Sequence, residues 1–350
     1  MLICLIGITY ILYMGKSILI PILMAFLIAV LLLPIVSFLN SKLRFPNVLS
    51  STIAVILFVS LIIGILAFIS YQISDIADDF AEIRKNIDIF IVDIQRYIRA
   101  NFHVSLWEQR KYIEDVTQDS FKKGKETIGT TILSITDTIL DLILIPIYTF
   151  LILLYRNHFI LFLAKLFRKE YHTKLQEILS QIKGSVLSYI TGLIFEMIAV
   201  SVLTSIGLYF IGVKYAILLG IITGILNLVP YVGILVAGVL TILSSLTGTP
   251  ELSLILGVII VNIVVQIIDN NILVPLIINT KVQINAFVSI VGIIIGNQIG
   301  GIAGMFLAIP LLAILKIVFD RIETAEPWGY LMGDNLPKVF IWKSKKSTPK

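Results

Sequence analysis

The chain has 350 residues, 58% hydrophobic and 14% charged, with a mean hydropathy of +1.00. This excludes an ordinary soluble domain, and recurring uncharged runs long enough to cross a bilayer predict an all-α, polytopic helical membrane protein. The net charge of +5 does not indicate nucleic-acid binding, because the basic residues lie in short loops and the tail, where they orient spans.

Cys4 is the one cysteine, and His103, His158 and His172 lack metal-ligand spacing, so no disulfide, metal or cofactor is expected. Leu2 to Met14 is apolar but short for a span. It reads as an uncleaved first helix, since no basic region precedes it and no small-residue cleavage site follows. Ile18 to Leu39 forms a second span, interrupted by Pro21 and Pro34, and exits into the basic loop 41–46, expected on the cytoplasmic side. Val48 to Tyr71 returns as a third span and completes an N-terminal region, 1–72.

Residues 73–127 read as a helical extracytoplasmic insertion. Ile73, Phe80, Ile87 and Ile94 recur every seven residues, interleaved with Ile76, Ile83, Phe90 and Tyr97, which gives a coiled-coil-like seam. Ser105-Leu106-Trp107-Glu108 fits a capping box, so a second helix is expected to run back antiparallel. The seam suits either an oligomerisation arm or a hairpin packed on itself.

Region 128–184 holds a fourth span, Thr131 to Tyr155, and a basic amphipathic stretch, 156–183, expected in the cytoplasm. A transport core follows over 185–318. Its fifth span, Ser185 to Ile211, carries Glu196 near mid-membrane. Two apolar blocks, Tyr215 to Leu246 and Ile284 to Lys316, would each extend about 50 Å as one helix, too long for one span and too short for two. Both are broken centrally, the first by the stretch from Asn227 through Pro230 to Gly233 and the second by Asn297, Gln298 and two glycines. Each therefore suits a re-entrant or broken helical hairpin, the alternative being one long kinked helix per block. Gly220 and Gly224, and likewise Gly292, Gly296, Gly300 and Gly304, are spaced by four and offer smooth ridges for close helix approach. The two blocks hint at an internal repeat around the span between them.

That intervening span begins at Leu252 and holds Asn262, Gln266 and Asp269 within about 60° of one another on one helix face, so they form a single polar stripe. Asn270 and Asn271 follow. Pro275 is expected to break the helix and free carbonyls of the preceding turn. Carboxylates at membrane depth are expensive unless they meet a partner, a cavity or a proton, which makes Glu196 and Asp269 candidate carriers of ion coupling. Residues 319–350 read as a flexible cytoplasmic tail.

The stretches 227–233, 266–275 and 300–310 resemble the autoinducer-2 exporter family of bacterial permeases, over nearly the whole chain. The resemblance implies a multi-pass plasma-membrane transporter that exports an autoinducer-2-like small polar solute. In some members it implies sodium or lithium/proton antiport instead, and it suggests homo-oligomers with an elevator-like movement. Asn285-Ala286 stands where family members often carry His-Pro. The expected partners are the lipid bilayer and a small solute or a monovalent cation such as Na+, Li+ or H+, with both termini cytoplasmic. A passive channel or a membrane scaffold remains an alternative. An enzyme is not expected, because no nucleophile–base set or metal-binding motif occurs.

Overall fold

The computed structural model describes residues 14–78, 135–229, 232–245, 252–277 and 284–334, with Asn86, Ile89, Val92, Gln95, Arg96 and Arg99 between them. The first short apolar segment up to residue 13, the heptad seam from Phe80 onward, the capping box and Pro230 lie outside the described residues.

Nearly all of the described chain is helical, because apolar side chains offer the backbone no competing hydrogen bonds and the helix satisfies its own. The helices are α1 (Lys16–Lys42), α2 (Asn47–Asp78), α3 (Ile135–Leu166), α4 (His172–Phe210), α5 (Ala216–Asn227), α6 (Val232–Ser245), α7 (Leu252–Ile268), α8 (Val274–Ile277), α9 (Ala286–Phe319) and α10 (Glu326–Met332). Six stretches are long and apolar enough to cross a bilayer. Burial is inverted relative to a soluble protein: Phe195 is 61% and Ile267 56% exposed, while the neighbouring Glu196 and Asp269 are 6% and 3% exposed. Such a surface needs lipid around it.

Three helices form the N-terminal lobe. Ala29, Leu32 and Val36 of α1 pack with Ala54 and Val55 of α2 and Leu153 of α3. The opposite face of α1, through Leu27 and Val30, meets Val186, Tyr189, Ile190 and Leu193 of α4 and Leu307 of α9. Thus α1 is the seam between this lobe and the core.

The fourth helix organises the rest. It is 39 residues long, so the basic stretch 156–183 is not a separate element. Its first part continues α3, and its last part, after the 3-10 turn Lys169–Tyr171, is the opening of α4. A helix propagates cheaply once nucleated, and nothing between Thr173 and Gly184 stops it.

Both apolar blocks reverse direction. In the first, Tyr215 and Ala216 at the start of α5 share a core cluster with Ile242 near the end of α6, so the two helices lie antiparallel. At the turn, a Cβ on Gly233 would sit 1.7 Å from the Leu226 carbonyl oxygen. In the second, the arms of α9 are so close that a Cβ on Gly304 would lie 2.0 Å from the Gly296 carbonyl oxygen, and one on Gly292 2.4 Å from Leu312. A straight helix would separate residues 292 and 312 by about 30 Å. The reversal is made by Gly300 and Gly301 rather than by Asn297 and Gln298, which remain helical. Gly301 has φ 58° and ψ −139°, a conformation open essentially only to glycine.

The hairpins enter from opposite ends of α4. Residues of α5 descend its C-terminal half, with Gly220 against Ser205 and Gly224 against Ser201 and Met197. The second arm of α9 runs along the N-terminal half, from the Arg321–Glu177 ion pair at 3.0 Å to Leu307 among Val186 and Leu193. Near the middle of α4 the hairpins meet, where Val229 packs on Ile293, Met305 and Ala308.

The expected flexible tail starts later than residue 319. Residues 320–334 are folded, and α10 is fastened to the base of the second hairpin. The backbone N–H of Asn285 donates to Met332 O at 2.9 Å, while its side-chain amide reaches Leu331 O and Gly333 O at 2.6 and 3.1 Å. Residues 335–350 lie outside the described residues.

Candidate transport site

Where the two hairpins converge on α4, three elements contribute one polar group each. Glu196 projects from α4 about 21 Å before its end, near the middle of the apolar part of the helix. Asn227 is the last residue of α5, carried to that depth by the close glycine–serine packing of α5 on α4. Asp269 opens a π-helical turn, Asp269–Leu273, at the end of α7, in which Val274 N–H donates to Asp269 O. Such single wide turns inside α-helices are frequent at functional sites.

Asn227 joins all three. Its Nδ2 donates to Glu196 Oε1 at 3.1 Å and to Asp269 Oδ2 at 3.2 Å, so both amide hydrogens are used on carboxylates. The other carboxylate oxygens, Glu196 Oε2 and Asp269 Oδ1, are buried without a hydrogen-bond partner. A neutral amide brings no charge to offset two buried carboxylates, so the cluster calls for a proton or a cation. The C-terminus of α5, with its partial negative charge, ends at the same point and favours a cation there too.

Beside the cluster is a cavity of about 30 Å³. Thr223, Asn227, Asn262, Gln266 and Asp269 form its polar wall, and Val200, Ala237 and Val265 the apolar one. The predicted stripe of Asn262, Gln266 and Asp269 therefore lines a single space. Its volume exceeds the about 10–15 Å³ that one ordered water requires. A water or a bare monovalent cation fits. Among the described residues no group of three or more His, Cys, Asp or Glu side chains gathers as a metal site.

The remaining candidates divide. Asn262 Nδ2 donates to Thr241 Oγ1 at 2.8 Å and so ties α7 to α6. Thr241 carried no signal in the sequence beyond being a hydroxyl in an apolar run. Gln266 Nε2 donates to the exposed Asn270 at 3.1 Å, and Asn271, also exposed, bonds back to Ile267 O at 2.8 Å. Asn297 and Gln298 are exposed on the second hairpin and do not join the cluster. Pro275 does not end the helix. The chain stays helical through α8, because the preceding π turn already displaces the backbone that the proline ring would strike.

Comparison with known proteins decides the family. Residues 2–324 match the family described as AI-2E family transporter. The chain belongs to that family. Two relatives from Bacillus subtilis (strain 168) are similar over most of their length. One, "Putative transport protein YueF", is 25% identical over 315 residues, covering 86% of this chain and 83% of the relative. The other, "Putative transport protein YrrI", is 25% identical over 320 residues, covering 88% of each. "Putative permease PerM" of Escherichia coli (strain K12) is 26% identical over 147 residues, 41% of this chain and 40% of its own. The expected multi-pass helical membrane protein of a transporter family is thus what the chain is.

Proposed function

We propose that this AI-2E family member is a secondary transporter of the cell membrane that exchanges protons for a small monovalent cation at the Glu196–Asn227–Asp269 cluster. The observation that carries the reading is the single amide bridging two buried carboxylates, each with one unpartnered oxygen, beside a cavity of about 30 Å³. A proton on either carboxyl, or a cation among the free oxygens, balances the charge, and one replaces the other as the hairpins move. The bridge ties the end of the first hairpin's α5 to α4 and to the turn after α7, so displacing Asn227 changes the surroundings of both acids together.

The family name favours a second reading, export of an autoinducer-2-like polar solute coupled to the same acids. That reading requires the cavity to widen, with Asn262, Gln266 and Thr241 turned to the solute's hydroxyl groups. Both readings place the termini in the cytoplasm and accommodate a homo-oligomer.

Proteoliposomes holding a pH dye separate them. Pulses of NaCl or LiCl outside are expected to shift the internal pH within seconds to minutes, with KCl much weaker. No pH shift with any cation, together with uptake or release of a labelled polyol, contradicts antiport and supports solute export.

A further inference from the structure

The two acids of the cluster are not equivalent. Asp269 lines the cavity of about 30 Å³, and Glu196 does not. Each keeps one carboxylate oxygen buried without a partner. The groups that share the cavity with Asp269 have their hydrogens committed elsewhere. Thr223 Oγ1 donates its only hydrogen to Leu219 O at 2.7 Å, and both amide hydrogens of Asn227 go to the carboxylates. The Asn262 nitrogen is held by Thr241 Oγ1 and the Gln266 nitrogen by Asn270 Oδ1, and neither partner lines the cavity. Thr241 in turn donates to Gly238 O at 2.9 Å, which leaves it the acceptor for Asn262. The ends of these two amides left to face the cavity are therefore their carbonyl oxygens. A hydroxyl oxygen, amide oxygens and one unpartnered carboxylate oxygen make a wall of acceptors, the surroundings that a hard cation takes. Glu196 stands outside that space, and a proton needs no cavity.

On the footing of the exchange proposed above, we infer that the two substrates are held apart: Asp269, Thr223 and the oxygens of Asn262 and Gln266 coordinate the cation, Glu196 carries the proton, and Asn227 couples them. Neutralising Glu196 removes one of the two negative charges on the bridging amide and so weakens the hold on a cation beside Asp269. The proton and the cation then oppose each other without sharing an oxygen. The opposition is reciprocal, since the factor by which a proton lowers cation affinity is the factor by which the cation lowers proton affinity. Among the described residues, the titratable groups that face Glu196 are Asp269 and, two turns back on the same face of α4, Tyr189. Helices α5, α6 and α8 carry no titratable residue, and Lys16, Lys42 and Lys316 lie at or near the ends of α1 and α9.

Equilibrium binding of radioactive sodium to the purified full chain in detergent tests the division, at mildly acidic and at alkaline pH with choline holding the ionic strength. The wild type is expected to bind Na+ about fivefold or more weakly at the acidic pH, the low end of a typical coupling between two sites. Glu196→Gln, fixed in the neutral form, should still bind Na+, with the affinity that the wild type shows at acidic pH, and should lose most of the pH dependence. Thr223→Val keeps the shape of the side chain without its oxygen and should weaken binding about tenfold at both pH values. Thr223→Ser should bind as the wild type does, which with elution in detergent separates a lost ligand from a lost fold. Asp269→Asn should show no binding, and Tyr189→Phe should leave the pH dependence in place. Binding lost in Glu196→Gln but kept in Asp269→Asn, full pH dependence in Glu196→Gln, or unchanged affinity in Thr223→Val would each overturn the inference and leave exchange at the cluster standing. No Na+ binding by the wild type would remove both.

Discussion

At the scale of single residues the account turns on Asn227, the neutral donor between two acids. Leucine is close to it in size and cannot donate. Asn227→Leu is expected to abolish cation-driven pH changes and to lower stability by about 1–3 kcal/mol, the usual cost of leaving buried polar atoms unsatisfied. Flux and thermal unfolding of the same preparation check both parts. Asn227→Asp should be worse, because it adds a third acid and removes the donor. The two acids were legible because a carboxylate in an apolar run is conspicuous, and the stripe of Asn262, Gln266 and Asp269 because helical geometry puts those positions on one face. The bridge was not legible: Asn227 lies 31 residues from Glu196 and 42 from Asp269, and only the packing of hairpin on helix closes those distances. Asn270 and Asn271 looked equivalent to their neighbours, yet successive residues point about 100° apart, so they cannot all face inward.

At the scale of elements, glycine determines the hairpins. A Cβ at 304 collides with the Gly296 carbonyl oxygen, and one at 224 with the Ser201 hydroxyl and the Met197 carbonyl oxygen. Backbone on both sides leaves little room to yield, so Gly304→Ala and Gly224→Ala should each lower thermal stability by about 1–3 kcal/mol. Gly301→Ala should cost a similar amount, about 1–3 kcal/mol, through its backbone conformation alone. Gly64→Ala, with nothing within 4 Å, is the control and should leave the melting curve in place. The spacing of glycines by four forecast close approach, and block length forecast reversal. The break was expected within residues 297–301; inside it the two glycines make the turn and Asn297 and Gln298 stay helical, because the turn needs a positive φ that Gly301 supplies. The π turn had no sequence signature apart from Pro275, whose effect on the helix it absorbs.

At the scale of the whole molecule, α4 is a shaft into which one hairpin inserts from each end, and the site sits where they meet. Opposite ends must then face opposite sides of the membrane. In a Cys4→Ser background, Lys214→Cys should react with an impermeant maleimide only from outside the cell and Glu323→Cys only from within. Labelling of both from one side would break the arrangement. The long apolar spans could be read from hydropathy, whereas loop charge left open whether each broken block is a hairpin or one kinked helix. The meeting of the hairpins could not be read from either, since it depends on contacts such as Val229 on Ile293 that no local pattern encodes.

The most direct measurement compares wild type, Asp269→Asn and Glu196→Gln in proteoliposomes with an internal pH dye and an imposed sodium or lithium gradient. The account predicts a cation-driven pH change in the wild type, lost in Asp269→Asn and reduced at least about tenfold in Glu196→Gln, with all three proteins eluting alike in detergent. Undiminished exchange in Asp269→Asn would contradict it, because the cluster would then not carry the ion.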